Sequence, residues 1–129
     1  MNKFNSLIIV CIAYVVALSS SILFIYCFKG NDILEVLFAD ILATIIIYLF
    51  SYFYSNSSIY DPYWSVVPPF ILLYWLLISS NINIISIFLI SFSVLFWSIR
   101  LTYNWVRGWQ GIHHEDWRYM DMRKYSGKY

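Results

Sequence analysis

The chain has 129 residues, of which 61% are hydrophobic, 22% aromatic and only 12% charged, with a formal net charge of +1. Charged residues usually reach about 25% of a soluble domain, so this composition excludes an ordinary water-soluble globule and indicates an all-α, polytopic membrane protein. The four glycines, Gly30, Gly108, Gly111 and Gly127, form no glycine-rich phosphate loop, which also excludes a soluble nucleotide-binding fold.

The first apolar segment runs over residues 4–28. Lys3 before it and the small residues Ala17-Leu18-Ser19 within it resemble a secretory signal, but the run exceeds the roughly 7–15 residues of a signal core and is read as a retained membrane helix. Cys11 and Cys27 lie about 24 Å apart on such a helix at 1.5 Å per residue, too far for a disulfide. A turn at Lys29-Gly30-Asn31-Asp32 follows, with Asp32 placed to cap the next helix.

The second segment, 33–54, carries Asp40 about two turns in. A carboxyl at that depth is expensive unless paired, protonated or wetted, which makes it a candidate catalytic group. Thr44 and Ser51 fall within about 40° of it at 100° per residue, so the helix bears a polar stripe. The same stripe also serves as helix–helix contact through hydrogen bonds, and both readings stand. Glu35, near the helix start and on nearly the opposite face, suits the macrodipole and reads as structural.

The break Asn56–Pro62 contains Asn56-Ser57-Ser58 and Asp61-Pro62, followed by a short third segment over 63–79. Tyr60, Tyr63 and Trp64 suit an interfacial aromatic belt, and Pro68-Pro69 require this helix either to start near Val66 or to enter the membrane bent. The density of polar and aromatic residues here exceeds what a connector needs.

The fourth segment, 82–107, ends in charge. If its helix continues past Ile99, Arg100, Asn104, Arg107 and Gly111 share one face, and Trp105 and Trp109 lie roughly opposite. Two guanidinium groups with an amide between them suit phosphate, because arginine donates in a planar fork. The plain alternative is that Arg100 snorkels to headgroups while the tryptophans occupy the interface. In His113-His114-Glu115-Asp116, adjacent histidines on a helix point about 100° apart, so no metal site is expected. Glu115, Asp116, Arg118, Asp121, Arg123 and Lys124 read as a charge-balanced polar segment. Six of the eight Lys and Arg residues follow Ile99, where the apolar run of the fourth segment ends, which by the positive-inside rule makes the tail cytoplasmic. Four crossings bring the N-terminus to the same side and place Asn81–Asn83 outside.

Taken together, "FADILATIIIY", "SSIYDPYWSVVPP", "RLTYNWVRGWQG" and "HEDWRYMDMRK" resemble an uncharacterised, mostly microbial branch of the steroid 5-alpha-reductase-like membrane proteins, from about Phe38 onward. The resemblance implies an NADPH-dependent oxidoreductase that reduces a carbon–carbon double bond conjugated to a carbonyl in a lipid-like substrate. It implies that Arg100, Asn104 and Arg107 face the cofactor phosphates, and that Asp40, Tyr60 or Tyr103 faces the substrate. Members of that family look about twice as long, so the chain reads as a truncated N-terminal half, expected to be completed by a separately encoded C-terminal half. The expected partners are membrane lipid, the lipid-like substrate and that second half, with no nucleic acid, and the expected location is the cell membrane. The rival reading is a small non-catalytic membrane protein that binds a lipid or a partner helix.

Overall fold

The computed structural model describes residues 2–80 and 83–126. It contains five α-helices, α1 (Lys3–Cys27), α2 (Asp32–Phe53), α3 (Tyr63–Ile78), α4 (Ile84–Gly108) and α5 (Trp117–Ser126), with a 3-10 turn at Ser57–Ile59. The expected all-α class is what is found. Helices α1, α2 and α4, and the stretch Ser57–Ile78 containing α3, are each long and apolar enough to cross a membrane. Asn81 and Ile82 of the expected external connection, and residues 127–129, lie outside the described residues.

The described residues form two compact units, one of 2–60 with 110–126 and one of 61–80 with 83–109. In the first, α1 and α2 pack through small side chains. Ser6, Val10, Ala13 and Ala17 are buried on α1, and Glu35, Ala39, Ala43, Ile47 and Ser51 on α2. The α2 residues recur every fourth position and form one stripe along the helix. Large apolar side chains point away from this seam, among them Phe4, Ile22, Ile33 and Phe53, exposed by 69, 65, 65 and 77%. Small residues inside and bulky apolar residues outside is the distribution of a protein dissolved in lipid, where close backbone approach and interhelical hydrogen bonds replace the hydrophobic effect. The Ser21 hydroxyl supplies one such bond, donating to the Ala39 carbonyl at 2.9 Å.

The turn into α2 is capped by Asn31, whose side chain accepts the Ile33 N–H at 2.9 Å. Asp32 is the first helical residue instead of the expected cap, because the amide of the preceding Asn31 already reaches the free donors. Glu35 is structural, accepting the Gly30 N–H at 2.7 Å and closing the turn.

In the second unit, α3 begins at Tyr63, the expected start of the third segment, and carries Pro68 and Pro69 in its interior; of the two alternatives that the prolines left, a start near Val66 is not the one found. Proline has no N–H, and the i−4 carbonyls of Trp64 and Ser65 lose their helical donors. The Ser98 hydroxyl of α4 donates to the Ser65 carbonyl, and Ser65 Oγ shares a bond with Thr102 Oγ1 at 2.9 Å. A neighbouring helix thus restores what Pro69 removes, as membrane helices require. Ser98→Ala is expected to cost about 1 kcal/mol by stranding that carbonyl, read as a lower unfolding midpoint in detergent. Unchanged stability would show that the bond is not needed to tolerate the prolines.

Candidate functional site

Helix α2 ends where Ser55 takes φ +49°, a left-handed conformation that turns the chain away from the helix axis. Asn56 then caps the 3-10 turn, accepting the Ser58 N–H at 2.9 Å. Its amide nitrogen donates to the carbonyls of Ile112 at 2.7 Å and His114 at 3.2 Å. The Ser58 hydroxyl accepts the Asp116 N–H at 2.8 Å. One oxygen of the buried Glu115 accepts both the Ser57 N–H at 2.7 Å and the Arg123 guanidinium of α5 at 2.8 Å. From α1, the Ser6 hydroxyl accepts the Ile112 N–H at 3.1 Å, and the Tyr14 hydroxyl donates to the Ile59 carbonyl at 3.1 Å.

These bonds clasp the segment after α4 onto the α2-terminal turn and the start of α1. All three therefore meet at one end of the α1–α2 pair. The clasp polar groups bond to one another, so their evident work is to position backbone.

The groups suited to anion chemistry lie on α4. Its helix continues to Gly108, and Arg100, Asn104 and Arg107 are exposed on it with spacings of four and three residues, which places them on one face. Trp105 and Trp109 stack with ring centroids 4.8 Å apart. Gly111 is off that face: the helix stops at Gly108, and Gly111 is a buried loop residue with φ +126°. His113 and His114 lie in the same loop, where helical geometry does not govern their directions.

Of the other candidates, Asp40 on α2 and Tyr60 after the 3-10 turn are half-buried and belong to the first unit. Tyr103, 64% exposed on α4, belongs to the second with Arg100, Asn104 and Arg107. Thr44 is half-buried beside the Asp40 stripe, and Ser51 is buried with its hydroxyl on the Ile47 carbonyl at 3.0 Å.

The polar tail is paired as its charge balance suggests: Arg118 with Asp116 at 2.9 Å, Arg123 with Glu115 at 2.8 Å, and Lys124 with Asp121 at 3.2 Å. The Arg118 side chain bonded to Asp116 holds that carboxyl below its usual range, helped by the Arg118 backbone N–H. This pair is solvated and contributes little stability. Sequence reasoning overlooked Asn56, Ser58, Ser6, Glu115 and Arg123 as clasp members; the signal was the unusual polar density of "NSSIYDPYW".

Helices with small polar seams, bulky apolar exteriors and a cationic helix end define a polytopic membrane-type protein. Residues 47–129 match the family described as Protein of unknown function (DUF1295), well over half of the chain, and the protein belongs to that family. No curated protein and no solved structure matches it.

Proposed function

We propose that this protein works in the NADPH-dependent reduction of a carbon–carbon double bond conjugated to a carbonyl in a lipid-like substrate, as the motif resemblance to steroid 5-alpha-reductase-like proteins implies. The observation that carries this reading is the cationic face of α4. Two guanidinium groups and an amide, exposed on one face of one unbroken helix, form a donor set whose chemistry fits phosphate oxygens. Arg100, Asn104 and Arg107 would hold the cofactor phosphates, and NADPH when bound supplies the hydride.

The chain's remaining task is to orient the substrate and stabilise charge as it develops on the carbonyl oxygen. Asp40, Tyr60 or Tyr103 is the proposed substrate-facing group, each being able to hydrogen-bond that oxygen, Asp40 in its protonated form. Membrane location with both ends cytoplasmic completes the proposal, since it puts the α4 face where NADPH is found.

Titration of the native full-length polypeptide in nanodiscs with NADPH is expected to quench tryptophan emission. Arg107→Ala or Arg100→Ala should weaken binding by about tenfold or more, the usual effect of losing a charge-assisted hydrogen bond. Saturable binding unaffected by either change would remove the α4 face from the site, and no binding at all would sink the reductase reading. A non-catalytic lipid- or helix-binding protein would then remain, drawing on the exposed, stacked ladder Phe88, Phe92 and Phe96 of α4.

A further inference from the structure

Among the described residues, one buried side-chain nitrogen lacks a hydrogen-bond partner, Nε1 of Trp109. Trp109 is 5% exposed. Its backbone N–H donates to the Trp105 carbonyl at 2.8 Å and ends α4. Its ring stacks on that of Trp105 with 21° between planes, so the direction of the indole N–H is held by both helix end and stack. Indole nitrogen donates and does not accept, and a buried donor without an acceptor leaves its desolvation uncompensated. Phenylalanine would fill the stack without that cost. The retained N–H therefore points to an acceptor that arrives with a ligand.

The chemistry of that acceptor follows from the surroundings. Trp109 offers a neutral donor, buried and stacked on the indole of Trp105, which itself lies roughly opposite the Arg100, Asn104 and Arg107 face at 100° per residue. Anionic oxygens are matched by the arginines, whereas an uncharged donor in a dry aromatic setting matches an uncharged carbonyl oxygen.

We infer that Trp109 Nε1–H donates to the carbonyl oxygen of the substrate, which makes Trp109 a further catalytic residue. This rests on the reductase reading above. As the β-carbon takes up hydride from NADPH, the alkene electron pair moves between the α-carbon and the carbonyl carbon, and negative charge grows on the oxygen. The indole bond strengthens with that charge while the indole keeps its proton. The α-carbon then takes a proton from water; the double bond becomes single with one C–H bond formed at each carbon, and NADPH is oxidised to NADP+.

The test uses the full-length protein in nanodiscs with an alkyl-substituted cyclohexenone labelled with carbon-13 at its carbonyl. Infrared difference spectra should show the bound carbonyl stretch shifted to lower frequency. Trp109→Phe should abolish the shift and weaken binding roughly three- to tenfold, the range for one neutral hydrogen bond. Where that variant fails to fold, benzothienylalanine at position 109 replaces N–H by sulfur in a near-isosteric ring. A shift that persists in either variant, or no shifted band in the unmodified protein, overturns the assignment. A Trp109-dependent shift without NADPH-dependent reduction leaves the donor assignment standing and removes the reductase reading.

Discussion

Asn56→Asp is expected to be among the most damaging single-atom exchanges in this protein, lowering stability by about 3 kcal/mol or more. Asn56 is 1% exposed, and its amide orientation is fixed by its neighbours: the nitrogen faces the carbonyls of Ile112 and His114, and the oxygen accepts the Ser58 N–H. Aspartate keeps the shape and the cap to Ser58 but turns two donors into acceptors, so a carboxylate oxygen opposes two carbonyl oxygens in a buried place. Protonation relieves one of those contacts, so the loss should shrink on acidification. Asn56→Ala, which removes donors and cap without adding charge, should cost less at neutral pH. Unfolding midpoints of the two variants in detergent at pH 7 and pH 4.5 check this. A variant with aspartate as stable as the parent would mean that the clasp is not closed in solution.

The helices were legible because each depends on local pattern: apolar runs near the length of a bilayer crossing, separated by Lys29–Asp32 and by Asn56–Pro62. The continuation of α4 through Arg100, Asn104 and Arg107 was legible for the same reason, as no breaker stands before Gly108. What escaped depends on partners distant in sequence. The bond that lets α3 carry Pro69 comes from Ser98, 33 residues beyond Ser65. Asn56 and Ser58 bond to residues 56 and 58 positions away, and no periodicity reports such a pairing. Helical projection also carried Gly111 onto the arginine face, although a glycine three residues past the helix end is where a chain commonly leaves helical geometry. The same projection treated His113 and His114 as helical neighbours. Asn31 displaced Asp32 as cap because both residues are competent, and only the backbone decides between them.

Gly111→Ala is expected to destabilise the clasp by about 2–4 kcal/mol, for two separable reasons. At φ +126° an L-residue is strained wherever its side chain goes, at a cost of order 1–3 kcal/mol. A Cβ there would also lie 3.1 Å from Ser6 Oγ and 3.7 Å from the Lys3 Cα, so the serine must shift, and it is the acceptor for Ile112 N–H at 3.1 Å. A double-mutant cycle with Ser6→Ala separates the causes. Backbone strain alone predicts additive losses, because removing the hydroxyl leaves φ unchanged. Crowding predicts that Gly111→Ala costs less once Ser6 lacks its oxygen, with a coupling of about 1 kcal/mol, since the bond to Ile112 is then lost only once. Either result places Gly111 where the loop before α5 meets Ser6 and Lys3 of α1, and a neutral Gly111→Ala would contradict that turn. The clasp then explains why a short polar tail is ordered beside so apolar a chain: its carbonyls and N–H groups are held by Ser6, Asn56 and Ser58, while Glu115 joins Ser57 to Arg123. Loss of the turn at Gly111 should therefore release residues 112–116 together, visible as concerted hydrogen exchange at Ile112, His114 and Asp116.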